Sequence, residues 1–195
     1  MNSTAITSLL DLVDPELWVV TAQADDRKSG LIAACVTSAS IVPEMPRMVV
    51  GLSRQQCTQE LVEASGHFAL HLFGEQHIDW VWRFALQSGR EQDKFAGLAW
   101  RTSAGGSPLL AKAIGWLDCR VEARLDIGDR TFYLAEVLDG ACDSKQQPLT
   151  FRRLLELGPG DKLKALKDSR EYDAELAVPL IQQWRRQLAN QQPPR

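Results

Sequence analysis

The feature that most restricts the fold is a pair of alternating runs joined by a glycine turn. From Ile114 to Leu125 apolar and polar residues alternate, the period of a half-buried strand. Asp126-Ile127-Gly128-Asp129-Arg130 reads as a turn, and Thr131 to Leu138 runs back with the same period. Two such runs closed by a short turn predict an antiparallel hairpin, and a chain that is mainly β with peripheral helices.

A second stretch, from Leu17 to Thr58, carries the candidate chemistry. It opens on the apolar strand Leu17-Trp18-Val19-Val20, turns through Asp25 to Gly30, and extends again. The extension changes character at Thr37-Ser38-Ala39-Ser40, small residues too short to fill a core. Pro43 and Pro46 interrupt it, Met48 to Leu52 returns as a strand, and Gln59 to Ser65 reads as a short helix closed by Gly66. A strand edge of small hydroxyls and bare backbone admits a flat polar ring at close range. Ser53, Arg54 and Thr58, at a strand-to-helix junction, form a set that can hold a phosphate, because the free amides of a helix start and a guanidinium both favour an anion. Such hydroxyl-rich edges also occur as ordinary turns.

The order of these residues resembles the flavin reductase-like family. The matching pieces are Leu17 to Ala22, Lys28 to Pro43, Arg54 with Thr58, Ser65 to Leu70, Asp93 to Gly97, Pro108-Leu109-Leu110 and Gly128-Asp129-Arg130. They keep their order over about residues 14–142, and the likeness is nearest to the reductase domains of diflavin proteins. The resemblance implies an antiparallel split β-barrel of the FMN-binding type and a homodimer with flavin sites at the subunit contact. It also implies NADH or NADPH as electron donor and an oxygenase or other protein as acceptor. Ala34, Cys35, Val36, Thr37, Ser38 and Ser40 would then contact the flavin ring and ribityl chain, with Ser53, Arg54 and Thr58 on the phosphate of FMN. Phe95 would lie near the cofactor, on a loop that helps close the pocket; its other reading is a plain hydrophobic anchor. The chain departs from its relatives at one place. Many have Gly-Asp-His at the hairpin turn, beside the nicotinamide or flavin, where this chain has Arg130. Arginine pairs with phosphate or carboxylate but does not donate a proton under ordinary conditions.

Length and composition fit one soluble domain: 195 residues, 45% hydrophobic and 24% charged, with barrel core and a helical extension over 145–190. The net charge of −3 offers no basic field for nucleic acid or a membrane surface. Met1-Asn2-Ser3-Thr4 lacks the pattern of a signal peptide, so the expected location is the cytoplasm. Cys35, Cys57, Cys119 and Cys142 lack metal-ligand spacing and read as free thiols.

Elsewhere the pattern predicts a short lead-in ending at Asp14-Pro15, and a strand from Phe68 to Phe73. Alternation sets Phe68, Leu70 and Leu72 on one face and His67, Ala69, His71 and Phe73 on the other. Two histidines on one face invite a metal, but no third ligand stands at motif spacing, and a semi-exposed or subunit-facing surface is the plainer account. Residues 75–90 read as a helix with Ile78, Val81, Trp82 and Ala85 on its stripe, most simply core or interface. Gly105-Gly106-Ser107-Pro108 is a turn, not a dinucleotide fingerprint. Beyond residue 145, Pro148 to Leu157 reads as a helix, Gly158-Pro159-Gly160 as a break, and Asp161 as the cap of the next helix. Pro179 then opens a final helix with Leu180, Ile181, Trp184 and Leu188 on one stripe, seeking the barrel or a second subunit, before a frayed tail over 191–195.

Three functions stay open at this stage: an FMN-dependent NAD(P)H oxidoreductase, an FMN-binding electron carrier or sensing module, and a barrel kept for dimerisation alone. Hydride transfer to a flavin asks the protein for position more than for side-chain acids and bases.

Overall fold

The computed structural model of the chain describes residues 3–143 and 145–191. After a short helix α1 (Ser3–Leu10) come strands β1 (Trp18–Ala24), β2 (Arg27–Ala33), β3 (Val36–Ser38) and β4 (Arg47–Ser53). Helix α2 (Cys57–Ser65) leads to β5 (His67–Leu72) and α3 (Ile78–Leu86). Two short strands, β6 (Trp100–Thr102) and β7 (Pro108–Leu110), precede the hairpin β8 (Gly115–Asp126) and β9 (Arg130–Cys142). Helices α4 (Phe151–Leu157) and α5 (Gly160–Gln191) follow.

Seven strands form one sheet in the order β2-β1-β5-β8-β9-β4-β3, antiparallel throughout, while β6 and β7 make a separate ribbon. β2 and β3 stand at opposite edges yet are consecutive in the chain, with only Ala34 and Cys35 between them. A step that short spans at most about 10 Å. The two edges are therefore held together at that point, and the sheet has to roll up. It closes into the expected barrel, split between β2 and β3. The hairpin is as the alternation predicted and runs on to Cys142, with register shifts at Asp118/Cys119 and Val121/Ala123 that let it bend around the barrel.

Inside the barrel lie Val20, Leu31, Val50, Leu52, Phe68, Leu70 and Tyr133. A second core forms outside the sheet, where Leu17, Val19 and Phe73 meet Val81, Trp82 and Phe84 of α3, together with Leu149 and Leu154. β1 is thus buried on both faces, which is why Leu17 to Val20 is a continuous apolar run. This second core corrects one expectation. The face of β5 bearing His71 and Phe73 is not semi-exposed: both residues are fully buried. Leu110 N–H donates to His71 Nε2 at 3.1 Å, so the other ring nitrogen carries the hydrogen and donates to Val19 O at 3.2 Å. Burial pulls this imidazole down to about 4, and it stays neutral.

The helices shift in detail. α2 begins at Cys57, earlier than expected, and Gly66 ends it at φ 69°. The predicted helix over 75–90 is a 3-10 turn, Glu75–His77, followed by the shorter α3. Its aromatic stripe is core: Trp82 and Phe84 are buried. Thr150 caps α4, accepting from Arg153 N–H. Asp161 stands inside the first turn of α5, which starts at Gly160.

Pro179 is the clearest departure. It opens no new helix but lies inside α5. A proline there strips the Glu175 carbonyl of its helical donor, at a cost of about 3 kcal/mol. Glu175 and Pro179 are both exposed, so water meets that carbonyl, and half-buried Leu163, Leu166, Leu176, Leu180 and Trp184 keep the helix on the body of the protein. At Leu180 and Trp184 that stripe meets the hairpin turn at Gly128, while Leu188 stays exposed. The tail expected to fray lies outside the described residues beyond Gln191, as do Met1 and Asn2.

Candidate functional site

β3 is an edge strand, paired with β4 alone. Gly51 N–H donates to Cys35 O at 2.9 Å and Ala39 N–H to Arg47 O at 2.8 Å. In an antiparallel ladder that alternation turns the main chain of Cys35, Thr37 and Ala39 toward β4 and leaves that of Val36 and Ser38 free on the open edge. Thr37 and Ser38 are exposed. The ordinary-turn reading holds for part of the segment: Ser38 Oγ donates to Ser40 O at 3.1 Å, and Ser40 Oγ accepts from Val42 N–H at 3.1 Å. What the edge offers a ligand is its free main chain and the Thr37 hydroxyl. The Val36 side chain packs against the barrel core, and Ala34 is exposed at the bend.

The sheet face behind this edge carries Cys35, Gly51 and Ser53, with Phe132 and Arg130 opposite them on β9. Leu52 and Thr131 point inward and are buried, so their neighbours Ser53 and Arg130, paired across β4 and β9, point outward. Gly51 lies between them and Cys35. A Cβ at Gly51 would come within 2.9 Å of the Phe132 ring and 3.0 Å of Cys35 Sγ. Cys35, Ser53 and Arg130 are thereby gathered on one outer face. Asp129, itself 6% exposed, holds Arg130 Nε at 3.0 Å.

The phosphate set is only partly assembled. Arg54 follows β4 with its amide on Asp129 O at 3.0 Å, and its guanidinium reaches Asp126 Oδ2 at 2.9 Å, both side chains about half exposed. Thr58 does not join it. Its hydroxyl donates to Ser29 Oγ at 3.1 Å and is buried, because α2 begins early enough to turn Thr58 onto β2. Phe95 also leaves the set. It is 2% exposed, edge-on to Phe84 at 5.7 Å and Trp100 at 5.9 Å, so the anchor reading describes its place. The neighbouring Lys94 is buried as well, donating to Gly30 O at 2.8 Å and Phe84 O at 3.1 Å, and burial pulls its ammonium down to about 8.

The residue of that loop that does reach the junction is Arg90, which the sequence reading passed over. Arg90 Nη1 donates to Gln55 O at 2.9 Å, just ahead of α2, and its other nitrogen pairs with Glu60. Arg27, also missed, pairs with Glu60 at 3.3 Å and with Cys57 Sγ at 3.4 Å. The Arg90 guanidinium, aided by Arg27, holds the Glu60 carboxyl below its usual range. With Arg54, three guanidiniums thus lie near the start of α2, each paired with a carboxylate.

Beside Arg54 the barrel end opens into a cleft of about 590 Å³ lined by Gln59, Glu60, Glu63, Arg124, Asp126 and Thr131. At its base Tyr133 Oη donates to Glu63 Oε1 at 2.5 Å and accepts from Gln59 Nε2 at 2.8 Å. Burial pushes the Tyr133 phenol up, so it stays a neutral donor. A free strand edge for a flat polar ring and exposed guanidiniums at a helix start for an anion are a donor set that fits a flavin mononucleotide. The four cysteines are free thiols, and no group of three or more metal-ligating side chains occurs among the described residues.

Comparison with known proteins agrees with this fold. Residues 13–155 match the family model described as flavin reductase like domain. The chain is 29% identical over 147 residues to the high molecular weight rubredoxin of Moorella thermoacetica, covering 74% of this chain and 63% of that one. It is 33% identical over 139 residues to the reductase subunit HsaB of a flavin-dependent monooxygenase of Mycobacterium tuberculosis, covering 70% and 72%. It spans under two thirds of the rubredoxin's length, and only 22% of a diflavin flavoprotein of Synechocystis sp. that it also resembles. Among solved structures, a flavin reductase domain protein from Arthrobacter sp. FB24 superposes with a TM-score of 0.68 at 20% identity, over 77% of this chain and 91% of that one, and so shares the fold. With the family model spanning most of the chain and the split barrel in place, this protein belongs to the flavin reductase like family.

Proposed function

We propose that the chain is an FMN-binding oxidoreductase of the NAD(P)H:flavin reductase type. The observation that carries this reading is one arrangement: the free main-chain edge of β3 and the guanidiniums near the start of α2, on a barrel of the flavin reductase like family. FMN, when bound, supplies the redox chemistry by accepting a hydride from NADH or NADPH. The chain's own residues do the positioning. The edge at Val36 and Ser38, with the Thr37 hydroxyl, orients the ring beside Cys35. Arg54, with Ser53 and Arg90, holds the phosphate. Arg130, fixed by Asp129, meets an anionic group on the donor side and moves no proton.

The reading extends to a homodimer and to an oxygenase or other protein as electron acceptor, a role supported by the similarity to a monooxygenase reductase subunit. It takes the whole chain as one domain, barrel core with helical extension. Free thiols, exposed Cys142 among them, suit a reducing compartment, and the reading has the protein working in the cytoplasm. Arg130 is what favours a second reading, an FMN-binding carrier without its own NAD(P)H turnover. Purified protein loaded with FMN and titrated anaerobically with NADH and then NADPH decides between them. Bleaching of the flavin absorbance by either nucleotide supports the reductase. A flavin reduced by dithionite but by neither nucleotide leaves the carrier, and failure to bind FMN at all defeats both.

A further inference from the structure

One residue of the β8–β9 turn holds two arginines of the candidate site. Asp129 accepts the Arg54 amide on its main-chain oxygen at 3.0 Å, and its buried carboxylate holds Arg130 Nε at 3.0 Å. Two further bonds close the turn: Ile127 N–H donates to Arg130 O at 3.0 Å, and Gly128 N–H to Asp126 Oδ1 at 3.0 Å. Turn tips ordinarily stand in water and move more than the strands they join. This one is covered by α5. Gly128 has φ 98°, and a Cβ there would come 2.7 Å from Leu180 O and 2.8 Å from Trp184 Cβ, so the main chain of the turn lies directly on the helix. Both the left-handed φ and the close approach require glycine. Leu180 and Trp184 stand at i and i+4 on one face of α5, and both are half-buried. With Gln183 and Gln187 of the same face they line a cavity of about 160 Å³ that Arg54 and Asp126 also line, so the helix stands against that ion pair too.

α5 begins at Gly160, and the family match ends at residue 155, so the resemblance gives this helix no role. The contacts give it one. Leu180 and Trp184 pack on Gly128, and the next residue, Asp129, anchors the main chain of Arg54. Moving the helix away would free the turn and, with it, that anchor. A guanidinium already held in place gives up less freedom when it meets a ligand.

We propose that Leu180 and Trp184 of α5 are positioning residues for the flavin phosphate, acting through Gly128 and Asp129 to hold Arg54 in place. They touch no ligand themselves. A helix outside the barrel thereby sharpens the preference for a phosphorylated flavin over riboflavin. The proposal rests on the functional reading above, which seats that phosphate at Arg54.

Fluorescence titrations of FMN and riboflavin against the wild-type chain, Trp184→Ala, Arg54→Ala and the double variant test it. Loss of preorganisation at one long side chain leads us to expect FMN binding about 2- to 10-fold weaker in Trp184→Ala, and no weaker than in Arg54→Ala. Riboflavin, which lacks the phosphate, should bind all four proteins alike. In the Arg54→Ala background, Trp184→Ala should weaken FMN no further, because the two act through one contact. Trp184→Leu keeps an apolar side chain on Gly128 and serves where the alanine variant does not fold; its loss should be smaller and again confined to FMN. Equal losses for FMN and riboflavin would make α5 a general brace and overturn the proposal. So would an FMN loss that persists without Arg54, or an FMN affinity indifferent to both substitutions of Trp184. A wild type that binds no FMN, or FMN binding that ignores Arg54→Ala, defeats the functional reading and the proposal with it; the other results leave that reading standing.

Discussion

Arg54→Ala is the sharpest probe of the phosphate site, because the structure sets both sides of its balance. In the free protein the guanidinium is 2.9 Å from Asp126, each side chain about half exposed. Exposed pairs of this kind are worth roughly 0.2–1 kcal/mol, and that much is given up when Arg54 turns to a ligand. A hydrogen bond from a guanidinium to a phosphate contributes about 1.5–3 kcal/mol. The net loss expected from Arg54→Ala is therefore about 0.5–2.8 kcal/mol, or roughly 2- to 110-fold in Kd. Asp126→Asn should do the reverse, freeing Arg54 and tightening FMN by up to about fivefold. Riboflavin, which lacks the phosphate, is the control. Quenching of flavin fluorescence gives these affinities, and Arg54→Ala should leave riboflavin where it was. An Arg54→Ala protein that binds FMN like the wild type, or that loses riboflavin equally, refutes the site.

Two further expectations come from the residues the fold relocated. His71 is held near 4, below its ordinary 6.5, by burial. The unfolded chain takes up this proton as pH falls through 6.5 while the folded chain does not, so stability drops from about pH 6.5 down to about pH 4 and then levels off. The gap amounts to about 3 kcal/mol. Urea melts at pH 7 and 4.5 should show that loss shrinking in His71→Gln; an undiminished pH dependence in the variant counts against it. Arg90 and Phe95, neighbours on one loop, should separate function from stability. Arg90→Ala should weaken FMN several-fold at an unchanged melting temperature, whereas Phe95→Ala should cost about 3–5 kcal/mol of stability. Calorimetry on both variants checks this, and a Phe95→Ala protein as stable as the wild type would contradict its place in the core.

Residue order alone made the architecture legible where the signal was local. The β8–β9 hairpin stood out because alternation and a glycine turn act among near neighbours. The strands flanking β3, and Arg54 at the end of β4, were marked in the same way by small residues, prolines and a charge. The ordered likeness to a known family then supplied the rolled barrel, which no single stretch contains.

Position in space was another matter. His71 looked like a surface residue until Leu110, 39 residues further along the chain, reached its ring. Thr58 packs onto β2 and Phe95 onto α3, and Arg90, from the polar loop that leads to Phe95, reaches the junction. Pro179 reads as a helix start, yet the half-buried stripe of α5 carries the helix through it and onto Gly128. Strand pattern and turns depend on a few adjacent residues, and the sequence determined them. Which side chains face a ligand depends on contacts between segments far apart in the chain, so the closed barrel and its packed helices decided that.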